Sequence, residues 1–261
     1  MTGLSRGLRL IGFKAAKLLL SENQMRRNNI RITVFALGAL VALSTPICPR
    51  AQVEKTPFSN MAPLDQYLIP DEKAEIALAR SAAPASISDK AEVMVLRRDG
   101  YATAVKGSNG FTCIVERSWA KASDESDFWN PKMRAPICFN PQAAQTFLRI
   151  FLMKTELALK GKSKTEIAAT IASALDKKEL PALEPGAMCY MMSKQQYLGD
   201  RDKSWHPHLM FFVAGDAAKS WGADAEDSPL IAANDPEERV TIFMLVVGRW
   251  SDGTLGPSMV Q

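Results

Sequence analysis

The chain has 261 residues, with 32 Lys and Arg against 28 Asp and Glu and a formal net charge of +4. That excess belongs to residues 1–51, which hold eight bases and one acid, Glu22, and leave 24 bases and 27 acids behind them. A net charge of −3 over residues 52–261, with no clustered run of Lys and Arg, excludes a nucleic-acid partner.

The first 24 residues include a basic, mildly amphipathic stretch, Leu4 to Leu20, of the kind that lies on a membrane surface. Met25 is an alternative start, because Met25-Arg26-Arg27 already supplies a basic opening. From Met25 to Ala51 the pattern is that of a secretory signal peptide: Arg26, Arg27 and Arg31, then uncharged Ile32 to Leu43, then Pro46 and Pro49. The apolar centre spans 12 residues. A permanent membrane helix needs roughly 20. Cleavage is expected after Ser44 or after Ala51, and no stable transmembrane helix is expected in the mature chain. Arg26-Arg27 imitates the twin-arginine route without the flanking Ser and Phe-Leu. Thr45-Pro46-Ile47 before Cys48 does not make a lipoprotein site.

Residues 1–51 are thus an N-terminal extension and signal peptide, 52–69 a linker or arm, 70–253 a single domain and 254–261 a tail. The protein is expected to be periplasmic or extracellular. Asp71 caps a helix that ends near Ala83, ahead of Pro84. Glu92–Leu96, Tyr101–Val105 and Phe111–Glu116 are β-prone runs separated by Asp99-Gly100 and Asn109-Gly110, which predicts an antiparallel meander. On its third strand Phe111, Cys113 and Val115 share a face. Residues 117–139 read as a long loop with Trp119, Trp129 and the acids Asp124, Glu125 and Asp127. Calcium-loop spacing is missing there.

Asn140-Pro141 starts a helix striped with Phe147, Leu148, Phe151 and Leu152, which runs to Gly161. Ser163 and Glu166 form a capping box for the next helix, with Ile167, Ile171 and Leu175 on one face. Gly161-Lys162-Ser163 imitates a phosphate loop, but Glu156 stands where that motif requires Gly. Strands follow at 187–192, 209–214 and 240–247, with a short strand near 230–233 and a short helix at 216–221. Met188, Met191, Met192, Met210 and Met244 are core fillers. The expected fold is α+β, a mostly antiparallel sheet of six or seven strands with a helix pair packed on one face.

In an oxidising compartment cysteines tend to bridge, and three in the mature chain leave one over. The sequence does not fix the connectivity. Cys113–Cys138 is the favoured pairing, closing a loop of about 25 residues for about 3 kcal/mol. Cys189 then behaves as a small buried hydrophobe.

Several segments resemble a family of exported bacterial proteins of uncharacterised function. They are Ile76 to Ala83, Gly107 to Cys113, Pro136-Ile137-Cys138, Pro185 to Met191, and Pro207 to Phe211. The resemblance implies an exported single domain and carries no catalytic residue with it.

His206 and His208 flank Pro207, and an extended Pro207 would aim both rings one way, as two zinc-ligating imidazoles are. A third ligand is missing, since the next acid is Asp216. Cys113 or Cys138 with His208 would make a thiolate–imidazole couple, unless the two cysteines bridge. Gly-x-Ser-x-Gly, nucleotide-loop, haem and paired-cysteine metal motifs do not occur. Tyr197, Trp205, His206 and His208, with Asp200, Arg201 and Asp202 between them, suit a small ligand or a protein partner. The sequence therefore reads as a non-catalytic binding domain with no cofactor or metal. A hydrolase or metal-dependent enzyme centred on His206 and His208, with Cys113 or Cys138, is the alternative.

Overall fold

The computed structural model describes residues 58–201, 203–223 and 225–257. The signal peptide, both candidate starts and the cleavage sites lie outside the described residues. Among those residues no helix is long and apolar enough to cross a membrane.

Local capping sets the helices. Asp71 accepts from the Lys73 amide and opens α1 (Glu72–Arg80), which stops at Ser81; Pro84 then precedes the single turn α2 (Ala85–Ser88). Asn140 accepts from the Ala143 amide and Pro141 takes the first position of α3 (Pro141–Gln145). The single helix expected from Pro141 to Gly161 is two. The Thr146 hydroxyl donates to the Gln142 carbonyl at 2.6 Å, its backbone leaves helical geometry, and α4 (Phe147–Leu159) starts after it. Ser163 and Glu166 make the reciprocal capping box of α5 (Lys164–Asp176).

The fold is α+β, and its sheet is mixed with eight strands, more than the six or seven expected. These are β1 (Glu92–Arg97), β2 (Gly100–Val105), β3 (Thr112–Glu116), β4 (Ala135–Phe139), β5 (Met188–Met191), β6 (His208–Ala214), β7 (Ile231–Asp235) and β8 (Val240–Val246), in the order β2-β1-β3-β4-β5-β6-β8-β7. Strand β4 lies inside the stretch read as loop. Its Pro136 argues against a central strand. The conflict disappears in the register, because β5 pairs only with Cys138 and Phe139 and leaves Pro136 with a single neighbouring strand. Residues 216–221 form turns instead of the expected helix: the Ala217 amide donates to the Thr241 hydroxyl, and Trp221 stacks on Phe243 at 4.5 Å.

The expected meander is also different. Only β1 and β2 form a hairpin, and β3 lies parallel to β1 on its other side. To get there, residues 106–111 pass across the start of β1, held by Ser108 N–H to the Lys90 carbonyl and Glu92 N–H to the Phe111 carbonyl, both at 2.8 Å. Gly107 makes this crossing fit. A Cβ there would sit 2.2 Å from the Glu92 nitrogen, inside any real contact, so backbone would have to move. We expect Gly107→Ala to destabilise the domain by about 3 kcal/mol, the upper range for overpacking. Urea unfolding reads this directly, and an unchanged midpoint would show that the crossing is looser than described.

Both faces of the sheet are covered. On one, α4 and α5 pack over Ile114, Ile137, Phe139, Met191 and Phe212. On the other, Ala79, Ala82 and Ala83 from α1 and its exit meet Val93, Val95, Cys113, Val115 and Cys138. The arm is docked from Phe58 onward, with Tyr67 fully buried and its hydroxyl donating to the Trp129 carbonyl at 2.8 Å. The start of the expected tail is paired as well, through an Arg249–Leu255 bridge and Gly256 N–H to the Gly248 carbonyl.

Candidate functional site

Strand β6 begins at His208, which shares a face with Met210 and Phe212 by the two-residue period. The His208 ring is 3% exposed, and its Nδ1 lies 2.7 Å from the His206 carbonyl. A carbonyl only accepts, so Nδ1 carries the proton and donates. Burial pulls the His208 pKa down to about 4, so the ring is neutral over the ordinary range. Trp205 packs against it at 4.7 Å and lies 5.9 Å from the His206 ring. The Trp205 carbonyl accepts from Gln196 Nε2 at 2.5 Å.

Tyr197 is held elsewhere in the same loop. Its backbone exchanges two 2.8 Å hydrogen bonds with Arg134, and its hydroxyl donates to Asp200, which Lys132 approaches at 3.2 Å. The structure therefore gathers Trp205, His206 and His208 into one ring cluster and ties Tyr197 to Arg134 and Asp200. Of the ring polar atoms, His208 Nδ1 and the Tyr197 hydroxyl are bonded within the loop. His206 Nδ1 is buried without a partner among the described residues.

Cys113 and Cys138 face each other across β3 and β4 with Cα atoms 3.9 Å apart and are joined as a disulfide. Neither is a free thiolate that His208 might activate. Cys189 is free but fully buried, and burial pushes its thiol well above the usual range. Among the described residues no group of three or more His, Cys, Asp and Glu side chains is placed to hold a metal ion. The acidic loop leaves Asp124 and Glu125 exposed and turns its rings inward: Trp119, Phe128 and Trp129 are buried, and Asp127 pairs with Lys121 at 2.6 Å.

A cleft of about 560 Å³ opens on the helix-pair side. Its walls are the start of α4 (Phe147, Ile150), the end of α5 (Leu175), Lys178 and residues 180–183, and the ends of β6 and β8. The volume and the largely carbon lining fall in the range of small-molecule sites. Three charged residues border it: Lys178, Glu238 and Arg239. Glu238 is buried and paired with Lys154 Nζ at 2.7 Å, and Lys154 also donates to the carbonyls of Ala120 and Lys121. Burial outweighs the attraction of Lys154 and raises the Glu238 pKa. Arg239 pairs with Asp176 at 2.6 Å. Lys178 has no side-chain partner among the described residues and is exposed.

Glu116, on the same face of β3, belongs to this buried ionic group. Its carboxyl has no hydrogen-bond partner among the described residues, and burial followed by the Glu238 charge pushes its pKa up to about 8, against the pull of Lys154. Glu116, Lys154, Lys178, Glu238 and Arg239 are not among the candidate residues that the sequence singles out. Two signals were there: Glu116 alternates with Thr112 and Ile114, and Lys154 sits on the apolar stripe of α4 with Phe147, Phe151 and Ala158.

No family model matches the chain, and no curated protein or solved structure matches it either. Fold and site together define a single mixed-sheet α+β domain, disulfide-bridged, with an apolar cleft beside a buried ionic group.

Proposed function

We propose that the chain is an exported, non-catalytic binding domain whose ligand is a small apolar molecule seated in the cleft beside Phe147 and Ile150. The observation that carries this reading is the cleft itself, about 560 Å³ with mostly carbon walls. It is favoured over the 193–208 loop because His208 Nδ1 and the Tyr197 hydroxyl are already bonded to groups of that loop, and the Trp205 ring packs on His208. Export is supported by the basic-apolar-proline layout of residues 25–51 and by the Cys113–Cys138 bridge. Chain recovered whole from the cytosol, with Met1 present and all thiols reduced, would remove the export half.

The binding half is tested with the uncharged dye 1-N-phenylnaphthylamine, whose fluorescence rises in apolar surroundings. Saturable one-to-one binding is expected. Ala182 lines the cleft and is exposed, so Ala182→Trp places an indole in the space without disturbing the core. That variant should lose about tenfold in affinity, roughly 1.4 kcal/mol, at an unchanged melting temperature. Absence of saturable binding, or equal affinity in Ala182→Trp, would sink the reading.

A further inference from the structure

The charges around the cleft are not balanced, and their imbalance defines a ligand class. Glu238 is the single acid in the lining, and Lys154 neutralises it at 2.7 Å behind the wall. On the open side stand two cations. Lys178 is exposed and has no partner among the described residues, while Arg239 shares its charge with the exposed Asp176. Both cations have left-handed backbone, φ 58° at Lys178 and 56° at Arg239. Glycine would adopt that geometry at lower cost. Lys178 follows the end of α5, the position where helices commonly end in glycine.

We propose that the cleft takes an amphipathic anion, its apolar body against Phe147, Ile150 and Leu183 and its anionic group at Lys178 and Arg239. This rests on the cleft being the binding site. The apolar walls accept a chain or ring of any charge, so the rim supplies the discrimination. An anion gains attraction there and a cation meets repulsion, so the preference lies in the difference between the two.

The experiment displaces bound 1-N-phenylnaphthylamine with decanoate, decan-1-ol and decyltrimethylammonium, which share one tail and differ in head charge, all below micelle formation. Decanoate is expected to displace the dye at a concentration about tenfold below that of the ammonium compound, the scale set by one or two partly exposed charges. The alcohol should fall between them. Lys178→Gln should narrow the gap, and Lys178→Gln with Arg239→Gln should close it, each gap being read against that variant's own dye affinity. Equal displacement by all three compounds, or a preference that survives the double substitution, would overturn the charge assignment and leave the cleft standing. Failure of the dye to bind at all would remove the cleft, and this inference with it.

Discussion

Arg117→Met is expected to destabilise the domain by about 3–5 kcal/mol, the scale for breaking one side of a buried ion pair. Arg117 and Glu75 are 0% and 1% exposed and meet at 2.9 Å. The guanidinium binds three separate parts of the chain: Nε donates to the Tyr67 carbonyl at 2.6 Å, Nη1 to the Val115 carbonyl, and Nη2 to Glu75 on α1. Glu75 also accepts from the Leu96 amide at 3.1 Å. Methionine fills much of the same volume, so the loss is mainly that of leaving the buried Glu75 carboxylate without its cation and the Tyr67 carbonyl without a donor. Glu75→Leu combined with Arg117→Met should recover part of the deficit, because an apolar pair of similar size needs no partner. Recovery stays incomplete, since the Tyr67 carbonyl and the Leu96 amide lose their bonds in the double variant too. Urea unfolding of the three variants checks this. A single-variant loss under about 1 kcal/mol would mean that the pair is wet and the α1 attachment lies elsewhere.

The contrast between what the chain's local chemistry announces and what it hides follows from distance along the chain. Asp71, Asn140 with Pro141, and Ser163 with Glu166 are legible because a cap is closed within three or four residues. Asp99-Gly100 and Asn109-Gly110 carry the same turn signal, yet only the first closes a hairpin. Asn109 instead reaches the Ile87 carbonyl at 2.8 Å, and the chain crosses β1. That choice depends on α2 and on Gly107, and no window of ten residues contains the whole of it. Strand β4 was hidden by Pro136, whose meaning reverses once β5 is known to pair beyond it. The rings of the 193–208 loop stood out because aromatic and imidazole groups are conspicuous in a sequence. The cleft did not, because its walls come from α4, the end of α5 and the β6 and β8 ends, segments up to about 90 residues apart.

Glu116→Gln is expected to stabilise the domain above pH 8 by about 4 kcal/mol and to be close to neutral near pH 5. Its physical basis is a carboxyl on the covered face of β3, 7% exposed, with Glu238 adding repulsion and Lys154 too fully engaged by Glu238 and two carbonyls to neutralise it. In the unfolded chain this group titrates near the ordinary glutamate value, about 4.3. In the folded chain it holds its proton up to about pH 8. Between those limits the native state binds one proton more than the unfolded state, so stability falls as pH rises through the window and levels off above it. Glutamine keeps the shape and carries no proton, so its slope should be shallower by about 1.4 kcal/mol per pH unit. Glu238 is displaced in the same direction, which leaves a residual slope in the variant. His208 works the other way: its folded pKa, lowered to about 4, removes stability as pH falls from its unfolded value of about 6.5. His208 contributes equally to the native chain and to Glu116→Gln, so the difference between their denaturant midpoints is followed from pH 5 to 8.5. Parallel profiles for the native chain and Glu116→Gln would show that the Glu116 carboxyl reaches water, and that the ionic group behind the cleft is open at its back.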